Sequence, residues 1–358
     1  RYAFRIDDRL TVPDPASRWN PDDVHGRSAI VDESAFEWQS TRWTGLPWSR
    51  IVIHELHVGC FTQGGTFRAA IDRLDELAEL GITAIELMPV AEFPGQRNWG
   101  YDGVLPFAPD ARYGAPDDLR RLVDAAHARG IAVFLDVVYN HFGPDGNYLG
   151  SYAPGFFTDR HRTPWGSAID LDGPGSAPVR RFFVENALHW IDAYRLDGLR
   201  FDAVHALHDA SPTHLIAEIA RAIRRHLATA PGPARQVHLI LENDRNQATL
   251  LRRTVDGSPA IATAQWNDDI HHALHVLVTG ETDGYYDRFA EAPARRLADG
   301  LAHGFIDRGQ PPAYPGDAPR AEPTDGLPPT AFVNFLQNHD QIGNRAFGER
   351  IHALAPEA

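Results

Sequence analysis

Seven short apolar runs punctuate the chain after residue 50, and amphipathic stretches or polar loops separate them. The runs are IVIHELHVGCF (51–61), ITAIELMPV (82–90), IAVFLDVVYNH (131–141), LDGLRFDAVH (196–205), VHLILEND (237–244), AIATAQWNDD (260–269) and FVNFLQNHD (332–340). Three of the intervals read as helices. FRAAIDRLDELAEL (67–80) sets Ile71, Leu74, Leu77 and Ala78 on one stripe, with Gly81 at the C-cap position. DDLRRLVDAAHARG (117–130) and VRRFFVENALHWIDAY (179–194) repeat the pattern. Near-continuous apolar strands alternating with helices predict a parallel sheet covered on both faces. No Gly-rich phosphate turn follows the first run, and five of the seven runs end in chemically capable residues. Barrel enzymes keep such residues at the C-terminal ends of their strands. The pattern therefore predicts an α/β fold, a (β/α)8 TIM barrel of which seven strands are visible.

The flanks read differently. RYAFRIDDRL alternates Tyr2, Phe4 and Ile6 as a strand does, and residues 11–50 are rich in Pro, Trp and Asp, as in a linker or docking segment. This divides the chain at about residue 50, with the barrel over 51–358. The Pro-rich stretch 309–330 reads as a long loop. The chain stops about one helix after the seventh run, so the eighth strand is expected to lie outside it. A start without Met, in strand texture, likewise points to the interior of a longer chain.

Composition narrows the chemistry. Among 358 residues, 48 acidic against 34 basic side chains give a net charge of −14, unsuited to tracking a nucleic-acid backbone. Every basic residue is Arg or His; the absence of Lys excludes Schiff-base lysine chemistry and a Walker P-loop. One cysteine, Cys60, makes neither an internal disulfide nor a Cys-based zinc site. No apolar run approaches the length of a membrane span and no leader is evident, so a cytoplasmic protein is expected.

The ends of the runs carry the candidate chemistry. In LRFDAVH, Arg200 and Asp202 are two apart in a strand and point the same way. A carboxylate beside a guanidinium suits a nucleophile, or else a structural ion pair. HLILEND ends in Glu242 after apolar neighbours, where a carboxylic acid can stay protonated; the alternative is a helix-capping carboxylate. FLQNHD supplies His339 and Asp340, and DVVYNH supplies Asp136, Asn140 and His141. Carboxylates at several strand ends with Arg and His around them are what glycoside cleavage needs. Loop aromatics Trp99, Tyr101 and Trp165 suit the apolar faces of sugar rings, or plug gaps over helices. The run NDDIHHALH places His271 and His275 at i, i+4, a metal-ligand spacing. No Glu general base lies between them, so with Asp268 and Asp269 the run reads better as a polar lining of a sugar cleft. No cofactor and no metal is expected.

DVVYNH, LRFDAVH, the Glu-bearing END and FLQNHD together resemble, in order, the four signature regions of the α-amylase family of retaining glycoside hydrolases, over about residues 51–345. The resemblance implies Asp202 as nucleophile, Glu242 as general acid/base and Asp340 as a third carboxylate. It implies a substrate-lining role for Tyr101, His141, Arg200, His205, His339, Asp268 and Asp269. Some members use an Asn at the place of Asn140 for a structural calcium; nothing else here suggests that ion. HELHVGCFTQGGTF, YAPGFF with TPWG, and AQWNDDIHHALHVLVTGETDGYY resemble the branch that releases trehalose from maltooligosyltrehalose. The second likeness is to α-glucan branching enzymes, through HELHVG and NWGYDG. VPDPASR resembles the tail of an N-terminal β-sandwich, which makes 1–50 its end and linker; the C-terminal β-domain is expected outside the chain. A third possibility of another class, a barrel that binds α-glucans without catalysis, fits the three carboxylates poorly.

Overall fold

The computed structural model describes residues 1–308 and 321–355, in two compact units, Arg1–Leu239 and Ile240–Ala358. The expected loop 309–330 lies outside the described residues as far as 320; beyond it the chain runs without regular structure to Pro329.

Each of the seven apolar runs contributes a strand. We number them β1 (Ile53–Leu56), β2 (Ala84–Leu87), β3 (Ala132–Val137), β4 (Gly198–Phe201), β5 (His238–Leu241), β6 (Ala264–Trp266) and β7 (Phe332–Val333). In the first unit β1 pairs with β2, β2 with β3 and β3 with β4, all parallel. In the second, β5 pairs with β6 and β6 with β7, also parallel. Strands that neighbour one another in chain order, without reversal, follow barrel winding and not the doubly wound kind. The fold class is therefore that of a (β/α)8 barrel represented by seven strands.

The helices expected over 117–130 and 179–194 form where their stripes predict. Helix α1 (Pro116–Ala128) starts on Pro116, carries Asp117 and Asp118 in its first turn, and buries Leu119, Leu122, Val123 and Ala126 completely. Helices α2 (Ala177–Ala193), α3 (Leu215–Thr229) and α4 (Asp268–Thr279) follow their strands. The expected helix over 67–80 forms as two pieces, Phe67–Ile71 and Leu74–Glu79. Bonds from Asp72 N to Ala69 O and from Arg73 N to Ala70 O tighten the backbone between them into a 3-10 turn. Among the described residues no helix is long and apolar enough to cross a membrane.

Register places the chemistry of the first unit on one face. Glu55 lies opposite Glu86, Glu86 opposite Phe134, Phe134 opposite Gly198, and Asp136 opposite Arg200. Paired neighbours point the same way, so these residues share the face turned away from the helices. Trp48, Phe134 and His238 close the N-terminal side of that face, with Trp48 5.2 Å from His238 and 6.4 Å from Phe134 between ring centroids. The segment before residue 50 docks on the outside. Asp124 of α1 accepts the backbone N–H groups of Gln39 and Ser40, and Trp43 stacks on His127 while donating to Asp197 Oδ1 at 2.7 Å.

Candidate active site

In the first unit the site is built around Arg200, a guanidinium 1% exposed. Its Nη1 donates to both oxygens of Asp136, at 2.9 and 2.8 Å, and to Asp202 Oδ1 at 2.9 Å. The shared face expected for Arg200 and Asp202 is thus present, and Asp136 is the extra partner. Asn140 completes the setting of Asp202: its Nδ2 donates to the Asp202 carboxylate at 2.8 Å and to the Asp202 carbonyl at 2.9 Å. Asn140 therefore orients a carboxylate in this fold. Directly after Asp202 the chain turns through Ala203 at φ 42, in the left-handed region, into a short 3-10 turn that carries a half-buried His205. A residue with a Cβ costs about 1–2 kcal/mol there, and such strain gathers at functional sites.

Tyr101 and His141 stand on the loops above. The Tyr101 hydroxyl donates to Asp136 Oδ2 at 2.7 Å, and burial pushes its ionisation well above the ordinary tyrosine value. His141 donates through Nε2 to the Tyr101 carbonyl at 2.8 Å, and its Nδ1 lies against Asn140 Oδ1. Burial lowers its basicity. Trp165, at the tip of the hairpin 157–169, stacks on His141 at 4.4 Å and leaves about half its surface, 49%, exposed. Gly143 lets the two loops meet, since a Cβ there would stand 2.0 Å from the Asp102 carbonyl oxygen. Gly143→Ala is expected to cost about 1–3 kcal/mol by overpacking, read as a lower melting temperature with an unchanged far-UV spectrum.

Sequence reasoning missed Glu86. Its side chain is fully buried, and neither carboxylate oxygen has a hydrogen-bond partner among the described residues. Burial, with Glu55 and Asp136 nearby, raises its pKa well above the ordinary carboxylate value. The signal was a lone charged residue inside ITAIELMPV.

In the second unit Glu242 follows β5 directly. The capping alternative is not realised, because the next helical turn, Ala248–Leu251, has Gln247 at its N-cap. The loop after Glu242 is held by amides. Gln265 Nε2 donates to the Asn243 carbonyl at 3.1 Å and to Asn246 Oδ1 at 3.0 Å, and Asn243 Nδ2 donates to Gln247 at 3.1 Å. Asp268 and Asp269 open α4 and differ in setting. Asp269 is buried and accepts the backbone N–H groups of Ile306 and Asp307 at 2.8 and 3.0 Å, which commits its carboxylate to that loop. Asp244, Asp268, His272, Arg288 and Asp307 line a small cavity beside it.

The seventh run is strand for two residues only. Asp340 stands seven residues past β7, in the one-turn helix His339–Gly343 that Asn338 caps by accepting from Asp340 N at 3.0 Å. Its carboxylate is half-exposed, and His339 Nε2 lies 3.7 Å from Asp340 Oδ1. The metal-ligand spacing of His271 and His275 serves other contacts. His271 bonds to the Leu336 carbonyl and the Tyr286 hydroxyl, and His275 to Glu281. Among the described residues no three of His, Cys, Asp and Glu gather as a metal site.

Burial lowers the His271 pKa from 6.5 to about 4, with His275 opposing its charge. The unfolded chain therefore binds the proton first. Stability from the neutral ring is complete above pH 6.5 and drains away as pH falls from 6.5 toward 4. The loss amounts to roughly 3 kcal/mol at the lower limit, and chemical denaturation across that range should show it in the wild type but not in His271→Asn.

The catalytic-domain model of the alpha-amylase family matches residues 26–153. Malto-oligosyltrehalose trehalohydrolases from Deinococcus radiodurans and Saccharolobus solfataricus are 46% and 41% identical, over 98% and 99% of this chain. The chain spans 56% and 60% of those proteins' own lengths. A 1,4-alpha-glucan branching enzyme from Corynebacterium jeikeium is 36% identical, over 56% of this chain and 29% of its own. A crystallised Salmonella typhimurium protein assigned to the alpha amylases superposes with a TM-score of 0.93 at 49% identity, covering 99% of this chain and 59% of that one. Apo pullulanase from Paenibacillus barengoltzii, at 20% identity and a TM-score of 0.64 over 94% of this chain and 56% of its own, shares the fold. In its strand winding, and in a likeness that runs along nearly the whole chain, the protein is similar to members of the α-amylase family.

Proposed function

We propose that the protein is a retaining α-glucan hydrolase. It cuts the α-1,4 bond next to the terminal trehalose of maltooligosyltrehalose and releases trehalose. The observation that carries this reading is the extent of the likeness: trehalohydrolases match along 98–99% of the chain, the branching enzyme along 56%. In this reading Glu242 protonates the leaving oxygen while Asp202 attacks the anomeric carbon; water activated by Glu242 then hydrolyses the glycosyl-enzyme. Retaining chemistry expects the two carboxyl groups about 5–5.5 Å apart. Asp340 grips sugar hydroxyls in the transition state. Tyr101, His141, Arg200 and His339 line the sugar on the non-reducing side, His205 also serves substrate binding, Asp268 meets substrate hydroxyls, and Asp269 backs it. The enzyme acts in the cytoplasm, after a maltooligosyltrehalose synthase, without a cofactor, a nucleic acid or a membrane.

The full-length protein tests the reading directly when incubated with maltooligosyltrehalose and, separately, with amylose. Free trehalose from the first and linear glucan from the second are expected. New α-1,6 branches without trehalose would assign it to branching, and binding without turnover would make it a glucan-binding barrel.

A further inference from the structure

The segment that carries His339 and Asp340 has little structure of its own. Strand β7 ends at Val333 and a single helical turn follows at His339–Gly343. Helix α4 and the turn after it hold that segment at both ends. On the approach, His271 Nδ1 donates to the Leu336 carbonyl at 2.6 Å, and the imidazole lies parallel to the Phe335 ring, 5° between planes. Because a carbonyl only accepts, the proton is on Nδ1, and Nε2 accepts from the Tyr286 hydroxyl at 3.0 Å. This bond fixes the tautomer and the ring plane together. Asn267, the α4 N-cap, donates to Asn334 Oδ1 at 3.3 Å. Beyond Asp340, Arg345 grips Glu281 with both terminal nitrogens at 2.9 Å, a two-pronged pair, and Glu281 also accepts from His275 Nε2 at 2.8 Å. His275 stacks on Tyr286 at 4.1 Å, which links the two anchors.

We propose that His271 and the Glu281–Arg345 pair are positioning residues. They clamp residues 334–345 on either side of Asp340 and so set where its carboxylate stands. The inference rests on the reading of Asp340 as the third carboxylate, and it gives the histidine-rich run NDDIHHALH a task. A carboxylate that works in the transition state loses its effect with small displacements, on the order of a hundredfold in rate for about 1 Å.

The test compares variants of the full-length protein on maltooligosyltrehalose, with rates normalised to the folded fraction. His271→Leu removes the donor to Leu336; kcat is expected to fall at least tenfold while KM stays within about threefold. His271→Asn keeps an N–H near the place of Nδ1 and should recover most of kcat. Glu281→Gln weakens the far anchor and should lower kcat severalfold at unchanged KM; it also decides the matter if His271→Leu does not fold. Wild-type kcat in both His271→Leu and Glu281→Gln, with only the melting temperature lowered, overturns the clamp. Asp340→Asn separates the two levels of the argument. If it is inactive while the clamp variants keep wild-type kcat, the clamp alone fails; if it is fully active, the role of Asp340 fails and the clamp with it.

Discussion

Asp202→Asn should abolish turnover, by at least about 10⁴-fold, while leaving the protein folded. The carboxylate is the group that would bond to the anomeric carbon, and an amide is too poor a nucleophile to replace it. The fold should survive because Arg200 has a second anion: Asp136 accepts from its Nη1 with both oxygens, at 2.9 and 2.8 Å. Removing one partner of a buried charge pair is severe, about 3–5 kcal/mol, only where the other charge is left alone. The substituted side chain keeps an oxygen for Arg200, though its new N–H groups would face the Asn140 Nδ2 donor now 2.8 Å from Asp202 Oδ2. A melting temperature lowered by a few degrees at most, with no detectable product, is the expected pair of results. A variant that unfolds easily yet turns over normally per folded molecule would make Asp202 a structural ion-pair partner.

Glu242→Gln should be the second large effect, and its signature depends on the leaving group. The amide cannot donate the proton a sugar oxygen needs, so cleavage of the natural glycosidic bond should fall by about 10³-fold. An α-glucosyl fluoride leaves without protonation, so its first step should be spared and the glycosyl-enzyme should accumulate as a burst. Azide, a nucleophile that needs no general base, should then restore turnover and give the α-glucosyl azide. An equal loss on both substrates, with no azide effect, would remove Glu242 from acid/base duty. The loop behind it is held by Asn243, Asn246 and Gln265, none of which this change touches.

The seven strands and the helices α1 and α2 were legible because their periods are local: a buried strand shows as an apolar run, an amphipathic helix as a stripe; α3, over Leu215–Thr229, went unread. The pairing of Arg200 with Asp202 was legible for the same reason, being two residues apart in one strand. What escaped depends on register between strands and on loop paths. Asp136 reaches Arg200 because β3 and β4 align those positions, which no single run reveals. Glu86 was hidden in a run read only for its apolarity. Asp268 and Asp269 looked alike in sequence, yet one step around a helix buries Asp269 against the backbone of Ile306 and Asp307. FVNFLQNHD read as a full strand, but Asp340 owes its place to a capped turn and to side chains of α4. His271 and His275 share a helix face, as their spacing predicts; what that face meets is a carbonyl and a carboxylate.

The central claim is that the reaction passes through a sugar bonded to Asp202. The most direct measurement treats Glu242→Gln of the full-length protein with 5-fluoro-α-glucosyl fluoride, digests it and locates the adduct by mass spectrometry. The account predicts one added glycosyl group, on Asp202 in the peptide containing LRFDAVH, and a wild-type product released with the α configuration. An adduct on another carboxylate, or a product released with inverted configuration and no adduct at all, would contradict it.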